Sequence, residues 1–234
     1  MNNNLKNTFL MTALLVFFIS SCKKEQDQPI EETLPTQIDS NDFNFSFDRW
    51  SIITSNTLVY EEPSGSYWTS LNYLSRLACP VTVSKTTDTQ NGNFAACLET
   101  MQWGSVVIPG LLVMGTFIPQ EPFVIQGKPF IRKPSSINGF YKYLPIDSDT
   151  CVLYARLSRY NSGLNRRDTI AEAHISSSQI ISTYQSFSLI FDYKNTVLIP
   201  DSLTILFVSS IDGVNFRGHP GSKLFIDNLS LVFP

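Results

Sequence analysis

Phe43, Phe45 and Phe47 alternate with Asn44, Ser46 and Asp48. Phe187, Leu189, Phe191 and Tyr193 alternate with Ser186, Ser188, Ile190 and Asp192. Leu203, Ile205 and Phe207 alternate with Thr204, Leu206 and Val208, a stretch apolar on both faces. A period of two places one face of a pleated strand in a core. Val81 to Thr86, Phe94 to Met101, Leu111 to Phe117, Phe140 to Leu144 and Cys151 to Leu157 are rich in β-branched or aromatic residues and predict further strands. Turn residues separate these runs, among them Pro63-Ser64-Gly65, Asn91-Gly92, Pro109-Gly110, Gly127-Lys128-Pro129, Pro145, Pro200 and Asp212-Gly213. Ile175 to Tyr184 is the best helix candidate, and its serines make it a poor one.

About ten short strands with regular punctuation predict an all-β chain, a single antiparallel sandwich with little helix. No repeat of roughly 20 to 50 residues is visible, which excludes propellers and solenoids. In the final run Leu224 and Ile226 share one parity, while Leu229, Leu231 and Phe233 take the other. The change falls at Asp227-Asn228 and predicts a bulge.

The first residues read as an address. Lys6 precedes a mostly apolar run from Thr8 to Ile19, and Ser20, Ser21 and Cys22 follow. That run is short for a membrane span, which needs about 20 residues. A cationic start, an apolar core and small residues make residues 1–21 a lipoprotein signal peptide. Ile19-Ser20-Ser21-Cys22 looks like a lipobox, with cleavage before Cys22 and acylation of its thiol. Residues 22–42 are the acylated cysteine and an acidic, flexible tether. The folded domain is expected over residues 43–234. Lys23-Lys24-Glu25 resembles signals that send lipoproteins to the outer face of the outer membrane. The expected location is therefore a Gram-negative outer membrane, on its surface or its periplasmic side.

The chain has 234 residues, 17 basic and 20 acidic, for a net charge of −3. Three of the bases and six of the acids lie before residue 43, so the expected domain holds 14 of each and is neutral. A nucleic-acid partner is excluded, because no basic surface is available to meet a phosphate backbone. Cys79, Cys97 and Cys151 remain after Cys22. An odd number cannot all pair within the chain. Buried free thiols are favoured over a Cys79–Cys97 bridge. Only His174 and His219 exist, no G-x-S-x-G accompanies them, and no zinc motif appears.

A set of fragments carries a family resemblance. It begins with Phe47-Asp48-Arg49-Trp50, Tyr60 and Pro63-Ser64-Gly65-Ser66-Tyr67-Trp68-Thr69-Ser70-Leu71-Asn72. Lys85-Thr86-Thr87-Asp88, Ala95-Ala96-Cys97-Leu98-Glu99-Thr100, Gly127-Lys128-Pro129-Phe130, Arg132 and Gly139-Phe140-Tyr141-Lys142-Tyr143 continue it. Pro200-Asp201-Ser202-Leu203-Thr204-Ile205, Gly221-Ser222-Lys223-Leu224 and Ile226-Asp227-Asn228-Leu229 close it. Together they resemble the carbohydrate-metabolism (PCMD) family of Gram-negative lipoproteins. The resemblance implies a jelly-roll sandwich of the galactose-binding type and a sugar pocket. It supplies no mechanism. Cys97 stands where the family pattern has lysine. The tether is too short for the immunoglobulin-like domain that precedes the jelly roll in some relatives.

Sugar rings need flat apolar faces, and their hydroxyls need planar polar partners. The expected ligand-binding set is Trp68, Asn72, Lys85, Glu99, Arg132, Tyr141 and Tyr143. Core packing is the alternative for every aromatic, and the favoured one for Trp50; Trp103 is a further candidate. Tyr141 and Tyr143 share a parity opposite Lys142, so either the tyrosines or the lysine faces a pocket. Glu99 lies in an apolar strand, where a charge needs a partner such as Lys85 or Arg132. A glycosidase needs a second carboxylate, and Asp192 is the other candidate. Asp48 and Asp227 are expected at a structural calcium, as in galactose-binding-like jelly rolls, or else to satisfy turn amides. No cofactor is required. The favoured function is carbohydrate binding by a membrane-anchored module. A glycoside hydrolase or lyase using Glu99 is the rival, and a protein-binding or adhesion module is the third.

Overall fold

The computed structural model describes residues 43–55, 58–118, 124–215 and 217–234. The expected signal peptide, the expected acylation site at Cys22 and the expected tether lie outside the described residues. In chain order the strands are β1 (Trp50–Ser55), β2 (Leu58–Pro63), β3 (Trp68–Ser70), β4 (Val83–Thr86), β5 (Ala95–Glu99) and β6 (Met101–Trp103). Next come β7 (Val106–Ile108), β8 (Leu111–Met114), β9 (Thr116–Ile118), β10 (Val124–Gln126), β11 (Lys128–Pro129) and β12 (Ser136–Leu144). The last six are β13 (Cys151–Asn161), β14 (Arg166–Ser177), β15 (Ile181–Ile190), β16 (Asp192–Tyr193), β17 (Ser202–Val208) and β18 (Lys223–Val232).

Two antiparallel sheets form a sandwich of jelly-roll type. One has seven strands in the order β16-β14-β13-β17-β8-β3, with β11 also pairing with β17. The other has five, in the order β15-β12-β18-β5-β4. Residues directly opposite in antiparallel strands share a face. Trp68, Met114, Ile205, Ala155 and Ala173 therefore form one inward row across the larger sheet. Ile181, Tyr143, Leu224, Leu98 and Val83 form the facing row across the smaller one. All ten side chains are buried, and these two rows meet in the core.

The alternation at the start of the domain misleads. Phe43 to Phe47 is not a strand but a coiled plug, with Asn44 at φ 52° and Phe47 at φ 53°. Asn44 tolerates the left-handed region, whereas a phenylalanine there is rare. Burial of all three rings offsets the cost. The Asn44 side chain fixes the bend by donating to Arg49 O at 2.8 Å and accepting from Arg49 N–H at 3.3 Å.

The helix candidate Ile175 to Tyr184 is also corrected. It is the end of β14, a short crossover between the sheets and the start of β15. The predicted strands 94–101 and 111–117 each break once, at Thr100 and at Gly115. The expected bulge is present. Asn138 faces Ser230 and Phe140 faces Asp227, so Asn228 and Leu229 together oppose Gly139. Asn228 takes φ 50° there, and the shift returns Leu229 to the core beside Ile226. A side chain at position 139 would strike Leu229 Cδ2 at 2.7 Å, so the strand opposite needs glycine.

Candidate functional site

The site begins with a hairpin. In β1 and β2, Ser51 pairs with Glu62 and Ile53 with Tyr60, so these four side chains share one face. That face looks onto Trp68 and Thr69 of β3 and Tyr73 of the 3-10 turn Leu71–Leu77. Pro63, Ser64 and Gly65 complete a cavity of about 250 Å³. Ile53, Tyr60, Tyr73 and Trp68 supply apolar surface, and Ser51, Ser64, Thr69 and Glu62 supply the polar groups. Ser51 and Ser64 share a hydroxyl–hydroxyl bond of 2.7 Å. Arg76 stands over the Tyr73 ring at 5.5 Å, close enough for a cation–π contact.

Glu62 is the one carboxylate in this wall. Its Oε1 accepts from the Ser70 hydroxyl at 2.6 Å. Ser70 Oγ in turn accepts from Asn72 N–H at 2.9 Å, which leaves its proton for Glu62. Glu62 Oε2 is shielded from solvent and has no hydrogen-bond partner among the described residues. Burial pushes the carboxyl pKa up to about 7, while the Ser70 hydroxyl and amide favour the charged form. Near neutral pH the wall therefore holds a carboxylic acid for part of the time. Sequence reading missed Glu62 because adjacent Glu61 and Glu62 look like a solvated pair. The usable signal was parity, since Tyr60 and Glu62 lie on the same side of one strand.

The expected site residues do not come together. Trp68 is 4% exposed on the inward row. Its Nε1–H donates to Phe43 O at 2.7 Å, and its ring stacks on Phe207, so it belongs to the core while also flooring the cavity. Asn72 is fully buried and saturated. It donates to Glu61 O and Val83 O and accepts from the N–H groups of Thr82 and Val83. Tyr141 meets Phe187 edge-on, and the Tyr143 hydroxyl donates to Ser209 O at 2.9 Å. Both tyrosines are core residues. Lys142 takes the outer face, where it pairs with Asp88 and lies over Phe225 and Tyr184.

Glu99 pairs with neither expected cation. Lys223, opposite it in β18, holds it at 3.1 Å. Lys85 bonds Glu61 at 2.7 Å, and Arg132 covers the Phe233 ring at 3.6 Å. Asp192 sits at the edge of the seven-stranded sheet, paired with Lys194. Glu99 belongs to the other sheet, so the two carboxylates form no catalytic pair. Trp50 and Trp103 are each partly exposed outside the cavity lining. Trp50 donates its Nε1–H to Phe47 O at 2.6 Å.

Asp48 and Asp227 act on one loop. Asp48 Oδ1 accepts from the N–H groups of Asn93 and Phe94. Asp227 Oδ2 accepts from Gln90 and Asn91, and its Oδ1 from Asn228. Gly92 at φ 77° lets the backbone pass against the Asp48 carboxylate. Calcium needs about six to eight oxygen ligands. These two carboxylates are instead turned to five N–H donors, and no group of three His, Cys, Asp or Glu gathers among the described residues. Cys79, Cys97 and Cys151 are buried free thiols, and burial raises the Cys97 pKa to about 11.

An antiparallel β-sandwich with a cavity under a hairpin defines the class. Within that class the family model described as "Putative carbohydrate metabolism domain" matches residues 46–232, and the chain belongs to that family. Solved structures share the fold, among them two from Bacteroides. A "putative glycoside hydrolase" from Bacteroides thetaiotaomicron superposes with a TM-score of 0.67 at 19% identity, covering 85% of this chain and 72% of its own. Another, from Bacteroides vulgatus, gives 0.68 at 22% identity, covering 80% of this chain and 96% of its own. A weaker likeness is to the module TmCBM61 solved with β-1,4-galactotriose, at TM-score 0.38 and 8% identity over 85% of this chain and 99% of its own. No curated protein sequence matches the chain.

Proposed function

We propose that the domain binds carbohydrate in the cavity under the β1–β2 hairpin, as an accessory of glycan capture or breakdown. The observation that carries this reading is the composition of that wall. Tyr60 and Tyr73 offer rings for the C–H face of a sugar, beside hydroxyls and the single carboxyl of Glu62. Membership of a carbohydrate-metabolism family supports it. At about 250 Å³ the cavity is smaller than the roughly 300–1,000 Å³ that drug-sized ligands occupy, and it suits one ring or a chain end. No second carboxylate lines it, which favours binding over hydrolysis.

A glycan array followed by calorimetry tests this. Tyr73→Ala and Tyr60→Ala are each expected to weaken binding at least tenfold, about 1.4 kcal/mol, with the melting temperature nearly kept. Glu99→Gln is expected to leave affinity unchanged. Binding that survives both tyrosine changes, or no binding to any glycan, would sink the reading.

The domain is further proposed to be a lipoprotein of the outer membrane, acylated on Cys22. The run Ile19-Ser20-Ser21-Cys22 at the end of an apolar stretch supports it. Cells fed an alkyne-tagged fatty acid are expected to label the native chain and not Cys22→Ser. Equal labelling of the two would refute the anchor.

A further inference from the structure

One loop displays aliphatic side chains that the sandwich leaves uncovered. Between β16 and β17, Val197, Leu198 and Ile199 are 84%, 41% and 54% exposed. Scattered exposed aliphatics are ordinary, but three in a row at a loop tip are not scattered. The tip is also built. Asn195 Oδ1 accepts from Val197 N–H at 3.0 Å and Leu198 N–H at 2.8 Å. The N–H groups of Lys194 and Asn195 both donate to Ile170 O. These bonds hold the loop root to β14 and turn the next residues outward.

Two cations grip the tip from the sides. Lys133 Nζ donates to Thr196 O at 2.7 Å, and Arg159 Nη1 donates to Ile199 O at 3.0 Å. Neither has a carboxylate partner among the described residues. Nearby, Lys194 pairs with Asp192 and stands 3.7 Å from Glu172, and Arg167 pairs with Asp201. Four cations thus face three acids, and the collar keeps one positive charge that its own acids do not cancel.

The third observation is where the chain enters. Phe43, the first described residue, packs against Phe130 with ring centroids 6.4 Å apart. Phe130 N–H donates to Asp201 O at 3.0 Å, two residues beyond Ile199. Phe43 and the aliphatic tip thus share one end of the sandwich.

We infer that Val197, Leu198 and Ile199 form a second membrane contact, entering the acyl boundary of an anionic bilayer while Lys133 and Arg159 meet its headgroups. The choice of a bilayer as occupant rests on the proposed anchor at Cys22. Aliphatic side chains ringed by cations suit that interface. The contact holds the domain down on its tether rather than letting it swing.

The test uses the mature chain from position 22 carrying Cys22→Ser, so that no acyl group contributes. Vesicles of equal parts phosphatidylglycerol and phosphatidylethanolamine are sedimented with it. Replacing Val197, Leu198 and Ile199 together by serine is expected to lower partitioning at least tenfold without lowering the melting temperature. Leu198→Trp is expected to shift its emission to the blue on vesicles, and this single change guards against misfolding of the triple one. Equal partitioning of native and triple-serine chains, or unshifted emission, would overturn the inference. So would a vesicle-independent dimer that the serines abolish, which would assign the tip to a second copy. Loss of acyl labelling at Cys22 would fail the anchor alone, because the vesicle result is read without it.

Discussion

Trp68→Ala is expected to remove about 3–5 kcal/mol of folding stability, the usual cost of truncating a buried aromatic. Two effects add. The ring fills the space between Phe207, Phe47 and Phe45, at centroid distances of 6.1, 5.1 and 6.4 Å. Its Nε1–H also satisfies Phe43 O at 2.7 Å, and a buried carbonyl left alone costs about 1–3 kcal/mol. The damage should therefore spread to the Phe43–Phe47 plug, which that bond ties to β3. Trp68→Phe separates the terms, because it keeps most of the packing and loses the hydrogen bond. Urea unfolding of the three chains measures both. A midpoint for Trp68→Ala within experimental error of the native one would remove Trp68 from the core. Sugar binding lost from a fully stable Trp68→Ala chain would return it to the pocket role that its polar neighbours suggested.

That neighbourhood shows where sequence reasoning reaches and where it stops. Ser66, Ser70 and Asn72 made the Trp68 strand look like a pocket wall. Ser70 and Asn72 are instead fully buried, and each spends its polarity on a partner eight or more residues away in sequence. Ser70 serves Glu62, and Asn72 serves Val83 and Thr82. Polarity alone cannot distinguish a wet wall from a satisfied interior. The parity of Tyr141 and Tyr143 against Lys142 was legible, yet parity gives sides and not which side is inner. The bulge at Asp227-Asn228 was fully legible, because a switch of face within one strand has few other causes. The Phe43–Phe47 plug was not, since its alternation arises from two left-handed residues rather than from a pleat.

The same limit governs the charges. Glu99 was singled out because it stands among apolar neighbours in sequence. Its strand ends there, and Lys223 meets it across the sheet. Burial raises the Glu62 carboxyl to about 7, and Glu62 has no ion-pair partner among the described residues. Isolation of a carboxyl is a property of three strands folding together, and parity places Glu62 beside Tyr60 without revealing that isolation.

Glu62 should consequently make the protein less stable as pH rises toward neutrality. Its folded-state pKa of about 7 lies above the ordinary 4.5, so the folded chain binds the proton more tightly than the unfolded one. Below the ordinary value both states are protonated and nothing is lost. Between the two values the unfolded state ionises first, and stability falls. Above about 7 both are ionised and the penalty levels off, at roughly 3 kcal/mol. The charged groups of the surrounding elements do not reverse the sign. Glu61 is neutralised by Lys85, and Arg76 lies over Tyr73. Glu62→Gln cannot ionise. Its stability relative to the native chain is expected to rise by roughly 2–3 kcal/mol between pH 4.5 and pH 8. Any constant cost of placing an amide beside Ser70 drops out of that comparison. Other titrating groups also cancel, because both chains carry them. Parallel denaturation curves for the two chains across this range would mean that Glu62 is ionised and solvated throughout. The cavity wall would then present a permanent anion to any sugar that enters.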